Sequence, residues 1–225
     1  MPSTLTPAQA FEALQEGNRR FVEDRMIHPS QDTAHRAKIG TEQHPFAVLF
    51  GCSDSRVAAE IIFDQGLGDL FVVRTAGHVL DTTVVGSIEF GIDVLGAPLV
   101  VVLGHDNCGA ISGARQAMVS GEHPGGMVRA IIDRVIPSIV TRAPSHAMGS
   151  WGAPEDGEGF ELVVPSAEEL GREHVRETVH MLGTYSQSLA QRVTEGKAAI
   201  VGVEYTLADG RIQVVDSIGD VKLSS

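Results

Sequence analysis

Two rhythms of apolar and polar positions alternate along the chain: short unbroken apolar runs, and longer stretches in which apolar residues recur at helical spacing. Thr6-Pro7-Ala8-Gln9 has the form of a capping box with proline at the first helical position. Phe11, Leu14 and Phe21 continue it as an apolar stripe, which predicts an amphipathic helix to about Asp24. Residues 28 to 44 show no such period and read as an extended or irregular arm, suited to lying on a partner subunit. Phe46 to Phe50 is a continuous apolar run ending at Gly51-Cys52, and Leu70 to Val73 is a second, ending at Arg74; both predict buried strands. Asp81-Thr82-Thr83 caps a helical pattern over Val84 to Leu95. Pro98 then introduces the strand Leu99 to Leu103, which ends at Gly104-His105. Ser166-Ala167-Glu168-Glu169 opens another capped helix. Ala199 to Tyr205 reads as a strand, Asp209-Gly210 as a turn and Arg211 to Val215 as a returning strand. The alternation predicts an α/β fold: a mainly parallel sheet of about four strands with an antiparallel edge strand, flanked by helices, plus an N-terminal helical arm.

At 225 residues and 43% apolar content the chain can bury one substantial core, and a single domain over residues 1 to 225 is expected, with residues 1 to 44 as its helix and arm. Residues 143 to 165, rich in glycine and proline and carrying Trp151, read as a long acidic surface loop. The net charge of −12 is spread without a basic cluster, which argues against nucleic acid and anionic membranes as partners. The first residues have no charged segment followed by an apolar run, so a cytoplasmic protein is expected, in a compartment that keeps thiols reduced.

That expectation bears on the only two cysteines. Cys52 opens Cys-Ser-Asp-Ser-Arg, and Cys108 closes His105-Asp106-Asn107-Cys108, so two thiolates and one imidazole are offered immediately after two predicted parallel strands, where ligands of open sheets collect. Zinc accepts such donors tetrahedrally, and three protein ligands leave the fourth position for a reactive water. A structural zinc site normally needs a fourth Cys or His, and no other histidine sits in a matching motif. The alternative without a metal is a reversible Cys52–Cys108 disulfide in a redox or regulatory protein, which leaves Asp54, Arg56 and His105 without a task.

Cys52-Ser-Asp-Ser-Arg-Val57 together with Gly104-His-x-x-Cys-Gly109 resembles the β-class carbonic anhydrases of bacteria, and the likeness extends through Phe71-Val-Val-Arg74, Ser87-Ile-Glu-Phe90 and the hairpin at Gly202 to Gly210. The resemblance implies reversible hydration of CO2 to bicarbonate and a proton by a zinc-bound hydroxide. It makes Cys52, His105 and Cys108 the ligands of one zinc ion per chain, and Asp54 and Arg56 the charged pair beside it. Two thiolates cancel the charge of Zn²⁺ and weaken it as a Lewis acid, so its surroundings must help to ionise water; Asp54, oriented by Arg56, fits that task. In a closed state known in the family, Asp54 would itself be the fourth ligand, and activity would then rise with pH. The substrate pocket implied by the resemblance draws on Gln43, Phe71, Ala76 and Phe90, partly across the interface of a homodimer or homotetramer. Related members hydrolyse CS2 or COS instead. Phe90 stands where plant members carry tyrosine, Thr75 and His78 replace two asparagines, and Leu49 replaces the tryptophan of the bicarbonate-regulated subgroup, so that regulation is not expected here.

Among the remaining residues, His78 reads as a proton shuttle or, more simply, as a histidine hydrogen-bonded at an interface. His44, His123, His146, His174 and His180 read as surface or helix-face residues, and Phe46, Phe50, Phe63 and Phe160 as core. Asp106 and Asn107 are expected to cap the helix that follows His105.

Overall fold

The computed structural model describes residues 4–140 and 165–221. The acidic stretch from 143, with His146, Trp151 and Phe160, thus lies outside the described residues up to Pro165. Five strands, β1 (Ala47–Cys52), β2 (Leu70–Thr75), β3 (Leu99–His105), β4 (Ala199–Tyr205) and β5 (Ile212–Ile218), form one sheet in the order β2-β1-β3-β4-β5. All neighbours are parallel except β4 and β5, the antiparallel edge that the chain pattern predicts. β1, β3 and β4 are buried along their whole length, which is why they read as unbroken apolar runs.

Alternate residues of these strands feed two cores. Ala47, Leu49, Val101 and Val201 pack with Ala10, Phe11 and Leu14 of α1 (Pro7–Val22), whose capping box Thr6–Gln9 forms as expected. Val48, Phe50, Val100 and Ile200 face the other way, onto Ile88 of α4 (Thr82–Glu89) and Val175, Val179 and Leu182 of a long helix, Ala167–Tyr185. That helix opens on the predicted Ser166–Glu169 capping box. It lies so close to β3 that a Cβ on Gly104 would come within 2.4 Å of Val175. Glycine is what permits the approach.

Three expectations need correction. The arm from 28 to 44 contains a short helix, α2 (Thr33–Ile39), started by Asp32 accepting from the His35 amide. It buries no residue, so no apolar period announces it. The pattern over Val84 to Leu95 is α4 followed by a single π turn, Phe90–Val94. And the helix after His105, α5 (Gly109–Ser120), takes Cys108 as its cap residue without a side-chain hydrogen bond; Asp106 instead accepts from the Leu207 amide, and Asn107 sits in the left-handed region at φ 51°. Two further helices, α3 (Ala59–Ile62) and α6 (Val128–Val140), precede the long helix, which is therefore α7, and α8 (Gln187–Thr194) follows it. No helix among the described residues is long and apolar enough to cross a membrane.

Candidate metal centre

β1 and β3 are adjacent and parallel, with Gly51 opposite Leu103, so their carboxyl ends bring Cys52 and His105 side by side. Cys108, immediately after the Asp106-Asn107 turn, returns to the same point at the start of α5. One donor atom from each of the three lies within 4.8 Å of the others, and all three residues are buried.

Histidine hydrogen bonding supplies an independent test of whether this triangle suits a metal. Nδ1 of His105 lies 2.7 Å from the Asp106 carbonyl, which can only accept, so Nδ1 carries the proton. Nε2 is then an unprotonated, buried nitrogen with no hydrogen-bond partner. A bare lone pair aimed at two thiols is what a metal ion would satisfy, and the two thiolates would balance its charge. The donor set fits zinc.

Ionisation in the cluster is uneven. A hydrogen bond from the Cys108 thiol, helped by the His105 ring nearby and by the Gly77 amide N–H, outweighs burial and draws the Cys52 thiol down to about 4. The same contact and burial push Cys108 up. Burial opposes charge on His105, yet the neighbouring Cys52 sulfur and the carbonyl of Asp106 raise it.

Asp54 and Arg56 follow Cys52 in a tight turn. Arg56 donates from Nε to Oδ1 at 2.9 Å and from Nη2 to Oδ2 at 2.7 Å, a bidentate clamp that holds the Asp54 carboxyl well below the usual carboxylate range. Oδ2 of Asp54 is 4.0 Å from the free Nε2 of His105. Arg74 at the end of β2 fixes the turn from beneath, donating to the carbonyls of Cys52 (2.9 Å) and Asp54 (2.6 Å).

Other residues expected at the site separate into two groups. Ala76 lines a cleft of 610 Å³ with Gly109, Ala110, Gly113, Ile131 and Ile132, hard by the cluster because Ala76 precedes Gly77 and Gly109 follows Cys108. Gln43, Phe71 and Phe90 are not brought to the cluster of their own chain. Phe71 pairs with Val48, four residues short of Cys52 and so about 13 Å away along the strand. Its ring lies 6.0 Å from that of Phe90, which is 44% exposed, and Gln43 is exposed ahead of β1.

Two histidines depart from expectation. His174, expected on a surface, is 1% exposed, because it falls on the apolar stripe of α7 between Leu170 and Thr178. Burial lowers it to about 4. His78 stacks on it with ring centroids 4.4 Å apart, and neither of its ring nitrogens has a hydrogen-bond partner among the described residues. Burial, then the neighbouring His174 and His105, holds His78 well below the ordinary histidine range.

Three donors at the carboxyl ends of a parallel sheet, with no fourth Cys or His grouped with them among the described residues, match catalytic rather than closed structural zinc sites. Comparison with known proteins narrows this. The carbonic anhydrase family profile matches residues 47–212, and the chain belongs to the β class of that family. It is 49% identical to carbonic anhydrase 2 of Mycobacterium tuberculosis over 98% of each chain. Among solved structures, a Coccomyxa β-carbonic anhydrase in complex with acetazolamide superposes with a TM-score of 0.66 at 23% identity, covering 90% of this chain and 85% of that one. A tetrameric β-carbonic anhydrase from Sordaria macrospora gives 0.65 at 21% identity, covering 91% and 95%. At those identities the superpositions speak for the fold.

Proposed function

We propose that the chain catalyses the zinc-dependent, reversible hydration of CO2 to bicarbonate and a proton, with Cys52, His105 and Cys108 holding the ion. The observation that carries this reading is the buried, unprotonated Nε2 of His105, within 4.8 Å of the two thiol sulfurs and 4.0 Å from an arginine-clamped carboxylate. Zinc, when bound, acidifies a water so that it can act as a nucleophile near neutral pH. The protein's own groups do the rest. Asp54, kept ionised by Arg56, would accept a hydrogen bond from that water and so orient it toward substrate. The cleft beside Ala76 and Gly109 offers the apolar walls that an uncharged, nonpolar molecule requires.

With Arg56 on both oxygens, Asp54 is held at the edge of the donor triangle; a closed state with Asp54 as fourth donor would draw its carboxylate out of that clamp. Gln43, Phe71 and Phe90 complete a pocket only from a second copy, which supports a homodimer or larger assembly joined along the β2 edge, where Phe90 and Val94 (65% exposed) lie bare. Replacing Phe90 with Asp is expected to weaken that assembly in light scattering. A reducing compartment such as the cytoplasm suits the free thiols.

The test is stopped-flow CO2 hydration from about pH 6.5 to 9, with zinc per chain measured on the same sample. About one zinc per chain and chelator-sensitive turnover support the reading, and a steep rise with pH supports exchange of Asp54. Zinc without CO2 hydration at any pH redirects the substrate to CS2 or COS, and a metal-free chain revives the two-cysteine redox alternative.

A further inference from the structure

Beside Cys52 of the donor triangle, the chain makes two left-handed residues in succession, Gly77 (φ 63°) and His78 (φ 40°). The non-glycine one is a sparsely populated conformation that the surroundings must hold. The effect of the turn is to point the two polar groups of Gly77 in useful directions. Its N–H donates to Cys52 Sγ at 3.3 Å, and its carbonyl lies 2.8 Å from Nε2 of His174. Since a carbonyl only accepts, His174 must be the Nε2–H tautomer and must donate. A side chain at position 77 would stand 2.6 Å from Ala110, so the turn also has no room for one.

We propose that His174 is a positioning residue of the metal centre, acting through the Gly77 peptide to keep an N–H···S hydrogen bond on the Cys52 thiolate. His174 is a rigid anchor for this purpose: it is 1% exposed, its helix is pressed onto β3 at Gly104, and the His78 ring lies against it. Thr178 ties the helix further by donating to the His174 carbonyl at 2.7 Å. A hydrogen bond at sulfur withdraws electron density from a thiolate ligand and so strengthens the bound metal as a Lewis acid, which matters in a site whose two thiolates weaken it. The inference rests on the metal-centre reading above and adds a residue 66 positions beyond the last ligand, Cys108.

Cobalt(II) substituted for zinc gives a sulfur-to-metal charge-transfer band whose energy reports electron density on the thiolates. His174→Met and His174→Gln are nearly equal in size, and only glutamine can donate to the Gly77 carbonyl. The methionine variant is expected to move the band to lower energy and the glutamine variant to leave it near the wild-type position. Val179→Ala, a truncation on the same helix, is expected to lower the melting temperature without moving the band. Should the methionine variant fail to fold, His174→Asn, one methylene too short to reach the carbonyl, is compared with glutamine in its place and is expected to move the band to lower energy. Equal bands for donor and non-donor variants, or a shift in Val179→Ala as large as in methionine, would overturn the role of His174. A wild-type chain that takes up no cobalt would instead overturn the metal centre itself, and this inference with it.

Discussion

One flank of the donor cluster is made of charges that reach water, Asp54, Arg56 and Arg74; the other is made of Phe50, His78, His174 and Val175, all buried and none charged near neutral pH. Both border the same cluster: Asp54 lies 4.0 Å from His105, and the Gly77 peptide links His174 to Cys52. On the wet side, solvent and paired hydrogen bonds let a carboxylate stay ionised within 4.0 Å of a ligand atom. On the dry side an ionised group would meet the cluster through a low dielectric, where charge is costly, so the chain holds two imidazoles neutral and works through backbone dipoles instead. The exposed flank thus faces the cluster with charge, and the buried one with a backbone hydrogen bond.

The largest effect tests the cluster that both flanks serve. His105→Ala removes the only nitrogen donor, and zinc is expected to fall from about one per chain to near zero with activity at the uncatalysed background, read by metal analysis and stopped flow. Asp54→Asn breaks the wet flank alone. It should lower kcat/KM by about a thousandfold while zinc per chain stays unchanged; loss of zinc in this variant would mean that the flanks are not separable.

Acid should strike the dry flank. His174 titrates at about 4 in the fold, against about 6.5 in an unfolded chain, so the unfolded state takes its proton first as the pH falls. Its contribution is complete above about pH 6.5 and is lost as the pH falls toward 4, by about 3 kcal/mol for a group this buried. His78 shifts in the same direction. Urea unfolding at several pH values should therefore show a slope that His174→Gln diminishes. The smallest effect is mechanical: Gly104→Ala would place a methyl 2.4 Å from Val175 and push α7 off β3, for a stability loss of about 2 kcal/mol in urea with the Asp54–Arg56 pair untouched.

The wet flank was readable from the sequence and the dry flank was not, for a physical reason. Cys52, Asp54, Arg56, His105 and Cys108 come from two short segments that each follow an unbroken apolar strand, and strands buried on both faces advertise themselves by composition. The β4–β5 hairpin was equally plain from Asp209-Gly210. His174 lies far along the chain on a helix, and a single histidine there looks like a surface residue. The signal that finds it is periodicity: Leu170, His174, Val175, Thr178, Val179 and Leu182 are the buried residues of α7, and His174 belongs to their stripe. Nothing comparable announces α2, which buries no side chain, or the left-handed turn at Gly77 and His78, whose shape is imposed by Cys52 on one side and α7 on the other.

The pairing of β1 with β3 carries one more meaning. Val48 lies opposite Val100 and Gly51 opposite Leu103, an alignment that ends β1 at Cys52 within one residue of the level of His105 on β3. A slip by one residue would displace Cys52 by about 3.3 Å and turn its sulfur to the opposite face of the sheet. A metal ion held by Cys52, His105 and Cys108 would fit only the observed alignment, so its binding would be tied to the registration of the two strands.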